Sequence, residues 1–130
     1  MRKIYIVDDD ADVRESLELL LSTQPETEVV AYASGNAFLE VSPGLEPGVV
    51  LLDYYMPGLN GLEVLEALRD TTPRFAVVMI TAHEDVNVAV KALEAGACDF
   101  LEKPYEYENL LIVLRIAFAH LEHGEPSGAC

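Results

Sequence analysis

Basic residues are what this chain has least of. Lys and Arg together number 8 against 23 Asp and Glu in 130 residues, for a formal net charge of −15. A field of that sign repels phosphate backbones, so the chain is not expected to bind nucleic acid directly; it suits divalent cations and basic protein partners. Cysteine is scarcer still: Cys98 and Cys130 are too few and too far apart for a disulfide scaffold, and no zinc-type spacing accompanies them. No apolar run is long enough to cross a bilayer, and Asp8 interrupts the first run too early for a signal peptide despite the basic Met1-Arg2-Lys3 start. Internal repeats, low-complexity blocks and an interdomain linker are also lacking. These absences lead to the expectation of one cytoplasmic domain, and an apolar content of 51% is enough to give it a core.

One stretch stands apart from this background. Val49-Val50-Leu51-Leu52 is a run of large apolar side chains that ends in the carboxylate of Asp53, and Tyr54-Tyr55-Met56-Pro57-Gly58 follows as a loop. Short apolar runs bounded by turn residues suit strands buried on both faces of a parallel sheet. Ligands of such sheets gather at the carboxyl ends of the strands, and Asp53 falls there. Runs of the same kind are Ile4–Val7, Glu28–Tyr32, Phe75–Ile80 and Cys98–Leu101.

Between the runs, apolar residues recur at helical spacing. Val13, Leu17, Leu20 and Leu21 form one stripe, with Pro25 beyond its end. Ser34 is a plausible N-cap for a short helix through Phe38, Leu39 and Val41, ended by Pro43-Gly44. Asn60-Gly61 opens a helix carrying Leu62, Leu65 and Leu68, with Val64 beside the stripe, stopped before Pro73. Val86, Ala89, Val90 and Leu93 make the next stripe, and Gly96 suits its C-terminal cap. The last helix, from Glu106 to Leu121, buries Leu110, Leu111, Leu114, Ala117, Phe118 and Leu121, while Ile112, Ile116 and Ala119 form a smaller stripe on the other side. Strands alternating with helices mean a parallel sheet covered on both faces and joined by right-handed crossovers.

That topology brings chemistry together. Asp8 and Asp9 end the first strand, Asp53 the third and Thr81 the fourth, and Lys103 follows the fifth; parallel strands point all of these to one crevice. Three neighbouring carboxylates cannot all stay ionised without compensation, so either their pKa values rise or a cation enters. Carboxylate oxygens around a small site suit Mg²⁺. A site with a metal, a lysine, a hydroxyl and a carboxylate nucleophile is equipped for phosphoryl transfer. Taken singly, each residue has a plainer role: Asp8 to Asp10 as helix caps, Thr81 as a cap, Lys103 as a surface charge. Their positions at the proper ends of four strands favour the joint reading.

Ile6-Val7-Asp8-Asp9-Asp10, Leu52-Asp53-Tyr54-Tyr55-Met56-Pro57-Gly58, Asn60-Gly61, Ile80-Thr81-Ala82 and Phe100-Leu101-Glu102-Lys103-Pro104, in that order, resemble the receiver domains of two-component response regulators, the CheY-like family. The resemblance runs from Lys3 to Leu121 and implies a flavodoxin-like (CheY-like) five-stranded parallel sheet, order 2-1-3-4-5, with five helices on both faces. The receiver domain is expected over residues 1–122, and the Gly, Pro and Ser that follow read as a flexible tail over 123–130. The resemblance further implies Asp53 as the residue phosphorylated by a histidine kinase or phosphotransfer protein. The expected Mg²⁺ (or Mn²⁺) ligands are Asp9, Asp53 and the backbone carbonyl of Tyr55, with Asp8 acting mainly through water. Lys103 would pair with the phosphoryl group, and the Lys103–Pro104 peptide would be cis.

By the same resemblance, Thr81 is drawn to the phosphoryl group and Phe100 turns inward, shifting the fourth helix, fifth strand and fifth helix between two packings. Such a domain is not an enzyme beyond its own phosphorylation and dephosphorylation. Tyr55 and His83 occupy positions where the family varies the lifetime of the phosphate; Tyr55 is read either as hindering water or as a solvent-lying loop side chain. Ile112 and Ile116 suggest a homodimer contact on the last helix, with scattered surface apolar residues as the plainer account. His120 and His123 could form a metal pair on one helix face, though histidines at a helix C-terminus are the more ordinary explanation. A flavodoxin-type electron carrier would need a Ser/Thr/Gly-rich loop after the first strand, where this chain is acidic. A receiver degenerated to a docking module would have lost Asp9, Asp53, Thr81 or Lys103. A phosphatase with an aspartyl intermediate would need an acid where Tyr54-Tyr55 stand. The output, whether transcriptional or otherwise, leaves no trace beyond a fourth-helix segment similar to those of receivers that precede DNA-binding or ATPase modules.

Overall fold

In the computed structural model, which describes residues 1–69, 74–82 and 85–122, the apolar runs form strands β1 (Arg2–Val7), β2 (Thr27–Tyr32), β3 (Gly48–Asp53), β4 (Phe75–Ala82) and β5 (Asp99–Lys103). They make one parallel sheet in the order β2-β1-β3-β4-β5. The helices are α1 (Ala11–Leu21), α2 (Gly35–Val41), α3 (Gly61–Leu68), α4 (Val86–Glu94) and α5 (Tyr107–Glu122), with a short 3-10 turn over Ser42–Gly44. The architecture is the expected one. Pro73, His83, His123 and the 123–130 tail lie outside the described residues.

Successive side chains of a strand point to opposite faces, so the unbroken apolar runs feed two cores. Ile4, Ile6, Val49, Leu51, Val78 and Ile80 face α1 and α5, meeting Leu17, Leu21, Leu110 and Leu114. Tyr5, Val7, Val50, Leu52, Val77 and Met79 face the other side, meeting Phe38, Val64, Leu65 and Ala92. Every residue of β3 is buried, which is why an acid at its end is held out of bulk water.

Several helix faces differ from the sequence reading. Leu20 is 43% exposed, and Leu17 and Leu21 carry the α1 contact. Val41 lies in solvent and Phe38 fills the α2 contact. On α3 the buried trio is Val64, Leu65 and Leu68, with Leu62 only partly covered. Val113, absent from the expected α5 stripe, is buried, while Leu111 and Leu121 pack at its margin. The largest departure is α4: Ala89 and Ala92 face the sheet, while Val86, Val90 and Leu93 are 64%, 46% and 42% exposed. Small residues let α4 lie close to the sheet, and the larger ones are turned outward. Helical periodicity gives a stripe but not what covers it. On the far face of α5, Ile112 and Ile116 are exposed, as expected.

Local chemistry fixes the ends. Asp10 accepts from the amides of Asp12 and Val13, Ser34 from Ala37, and Asn60 forms a reciprocal capping box with Glu63. Gly96, at φ +105°, turns the chain out of α4 in the left-handed region. β5 continues to Lys103, so Lys103 ends that strand instead of following it.

Candidate functional site

The carboxyl edge of the sheet gathers the predicted residues. Asp8 leaves β1 with its amide bonded to the Tyr32 carbonyl at 3.1 Å, and Asp53 closes β3 opposite Ile80 of β4. Tyr54 donates to the Ile80 carbonyl at 3.0 Å, which fixes the level of Asp53 against β4. Asp8, Asp9 and Asp53 each offer a carboxylate oxygen, and these oxygens lie within 4.8 Å of one another. Lys103 Nζ reaches Asp53 Oδ1 at 3.3 Å and Asp8 Oδ2 at 4.0 Å. The Lys103–Pro104 peptide is cis. These groups open on a cavity of about 750 Å³ whose wall includes Tyr55, Ala82 and Tyr105.

Burial makes this cluster costly as it stands. Asp8, Asp53 and Thr81 are 2%, 6% and 1% exposed, whereas Asp9 faces solvent. Burial, then the neighbouring Asp8 charge, push the Asp53 carboxyl up to about 6 against the pull of Lys103. Asp8 is also raised by burial, although the Asp10 amide, 2.9 Å from Asp8 Oδ1, and Lys103 oppose the shift. Among the described residues, Asp8 Oδ2 and Thr81 Oγ1 are buried without a hydrogen-bond partner. Buried polar atoms are rarely left in that state, and Asp8 belongs both to the acidic cluster and to the cavity wall. Two buried carboxylates, an exposed third, and an orphaned oxygen aimed into the cluster fit a hard divalent cation.

Thr81 is buried near the end of β4, and its neighbour Ala82 is the residue of that strand that lines the cavity. Phe100 is half-buried against the core on the α2–α3–α4 side. Tyr55 is 56% exposed but not loose: its hydroxyl donates to Asp85 Oδ2, and its ring meets Tyr54 edge-on at 4.7 Å. His83 lies outside the described residues. Of the histidine pair, His120 has a buried Nδ1 without a partner among the described residues, and His123 is not among them.

The sequence reading missed three contributors. Arg14 Nη1 donates to the Asp8 carbonyl at 2.8 Å and pins the acidic loop. Tyr105 lines the cavity two residues after Lys103, and burial raises its hydroxyl, with Asp8 and Asp53 adding to the shift. An aromatic directly after Lys103-Pro104 was the available signal. Asp85 gave none, because its contact with Tyr55 spans two loops.

A buried strand-end carboxylate flanked by two acids and a lysine, on a 2-1-3-4-5 parallel sheet, defines a class: the chain belongs to the response regulator receiver domain family, whose pattern matches residues 4–115. It is 40% identical over 97% of its length to the transcriptional regulatory protein FixJ of Bradyrhizobium diazoefficiens, covering 61% of that protein. With the DNA-binding transcriptional regulator NtrC of Klebsiella pneumoniae it shares 35% identity over 96% of its length, covering 27% of that protein. The crystal structure of FixJ-N superposes with a TM-score of 0.86 at 37% identity, over 93% of this chain and 96% of that one. The chain thus spans about 60% of the FixJ protein it matches.

Proposed function

We propose that this receiver domain accepts a phosphoryl group on Asp53 from the phosphohistidine of a sensor kinase or phosphotransfer protein, in a Mg²⁺-dependent (or Mn²⁺-dependent) reaction at a cytoplasmic site. The observation that carries the reading is the contact of Lys103 Nζ with the buried Asp53 carboxylate at 3.3 Å, with the orphaned Asp8 oxygen 4.0 Å from the same nitrogen. An oxygen of Asp53 attacks phosphorus, the phosphorus–nitrogen bond of the donor breaks, and the imidazole nitrogen keeps the electron pair and takes up a proton. With a carboxyl pKa raised only to about 6, Asp53 is largely ionised at neutral pH and ready to attack. Lys103 stabilises charge on the transferring oxygens, and Thr81 supplies a hydroxyl donor to one of them. Asp8, Asp9, Asp53 and the Tyr55 carbonyl would hold the cation, which when bound neutralises charge on the phosphoryl group.

The signal leaves through Thr81 and Phe100 toward α4, β5 and α5. Exposed Val86, Val90 and Leu93 on α4, and Ile112 and Ile116 on α5, flank β5 at the sheet edge and supply a face for a partner or a second copy. The names of FixJ and NtrC support a transcriptional output in a partner or attached module, with DNA contact outside this acidic domain. Tyr55 at the cavity wall supports slow self-dephosphorylation by obstructing water.

Incubation with acetyl phosphate and Mg²⁺ should add one phosphoryl mass, lost in Asp53→Asn. Association of the phosphorylated form, read by sedimentation, should weaken when Ile112 and Ile116 are both replaced by Glu; unchanged sedimentation would remove α5 from the contact.

A further inference from the structure

We propose that Asp85 is a positioning residue that fixes the Tyr55 ring as a strap across the open side of the acidic cavity, limiting the access of water to the group carried on Asp53. The inference rests on the reading of Asp53 as phosphoacceptor and adds a residue to it.

An exposed phenol has water for a partner and needs no protein acceptor. Tyr55 nevertheless donates its hydroxyl to Asp85 Oδ2, thirty residues along the chain, and the edge of the ring pair with Tyr54 gives it a second fixed point. The two ends of this bridge stand on the loop after β3 and the loop after β4, and Tyr55 and Ala82 both line the cavity that holds Asp53. Asp85 is tied back to that wall by its amide, which donates to the Ala82 carbonyl at 3.2 Å. The strap therefore joins the residue two past Asp53 to the segment that follows β4, the strand that carries Thr81.

The second observation concerns what Asp85 does not do. It directly precedes α4, the position from which Asp10, Ser34 and Asn60 cap their helices, yet its side chain makes no capping bond to α4. Aspartate is among the strongest N-cap residues; here its backbone, at φ −88° and ψ 65°, leaves the extended region that the other three caps occupy, and its carboxylate meets Tyr55 instead. Its backbone carbonyl still accepts from Ala89 at 3.3 Å, so the helix start is intact while its amides lack the side-chain cap. Capping α4 and holding Tyr55 are the two roles open to this carboxylate, and the second is the one it fills.

These two roles separate by substitution. Asp85→Ser retains a capping oxygen but is too short to reach Tyr55, whereas Asp85→Asn keeps an acceptor of the right length. In the unphosphorylated protein, proton NMR should show a cross-relaxation contact between the Tyr55 ring and the Asp85 β-protons. After loading with acetyl phosphate and Mg²⁺, loss of the phosphoryl mass should accelerate about threefold to tenfold in Asp85→Ala, Asp85→Ser and Tyr55→Phe, the range covered by one hydrogen bond. The Tyr55→Phe/Asp85→Ala double variant should be no faster than either single one, because both remove the same contact. Asp85→Asn should stay near the wild-type rate. A wild-type lifetime in Asp85→Ala or in Tyr55→Phe overturns the assignment, as does a lifetime restored by Asp85→Ser, which would make capping the cause. If the protein takes up no phosphoryl group, the reading of Asp53 fails, and the strap then stands or falls on the NMR contact.

Discussion

Asp53 is held by opposing forces, and they have a measurable consequence for stability. The folded protein keeps its proton up to about pH 6 because burial and the Asp8 charge disfavour the ionised form. An unfolded chain releases the same proton at about pH 4. Between those values the folded state binds more protons than the unfolded one, so stability falls as pH rises through the window and stays reduced above it. The reduction is about 3 kcal/mol at neutral pH. In metal-free buffer, urea unfolding of Asp53→Asn should therefore give a higher stability at pH 7 by roughly that amount and a flatter profile between the two pKa values. Mg²⁺ should stabilise the wild type and have less effect on the variant. The glycine that opens α3 makes a second demand on this spot. A β-carbon on Gly61 would stand 2.8 Å from the Asp53 carbonyl and 2.7 Å from Met79 Sδ, and the backbone of β3 cannot retreat because it is buried on both sides. Gly61→Ala should cost about 1 to 3 kcal/mol in unfolding measurements, as overpacking does, and should slow phosphorylation by displacing the nucleophile.

At the scale of elements, legibility followed how completely an element is enclosed. β3 and β4 were readable because a strand covered on both faces leaves an unbroken apolar run, and Asp53 and Thr81 then mark where the cover ends. α4 was not readable. Val86, Val90 and Leu93 have helical spacing and greater hydrophobicity than Ala89 and Ala92, yet the alanines face the sheet. Periodicity ranks faces by apolar content, whereas packing chooses the face whose size fits the gap. The consequence can be tested by a pair of substitutions. Ala92 is fully buried, so Ala92→Leu should destabilise by about 1 to 3 kcal/mol. Val90→Ser, nearly half exposed, should stay within about 0.5 kcal/mol of wild type in the monomer. Reversed outcomes in chemical denaturation would restore the larger residues to the core. Asp85 escaped the sequence for a related reason: it acts through a contact with Tyr55, thirty residues away, that no local spacing encodes.

Across the whole molecule, the parallel order decides which residues meet, because it sends the ends of β1, β3, β4 and β5 to one edge while α4 and α5, on opposite faces of the sheet, both pack beside the outer strand β5. Thr81 stands between the two regions: it lies on β4, paired to Glu102 of β5, with a buried hydroxyl that has no partner among the described residues. An unsatisfied buried hydroxyl adds nothing to the stability of the resting fold, and its removal is close to neutral or slightly favourable. If that hydroxyl serves only the phosphorylated state, Thr81→Ala should fold with unchanged or slightly raised stability and still take up a phosphoryl group on Asp53, since the nucleophile and Lys103 remain. What it should lose is the response at a distance. Sedimentation with and without acetyl phosphate should show association of the wild type rising on phosphorylation and that of Thr81→Ala staying at the resting level. A variant that is phosphorylated and associates as the wild type does would show that the signal reaches α4 and α5 by another route, and the loop carrying Asp85 would be the next place to look.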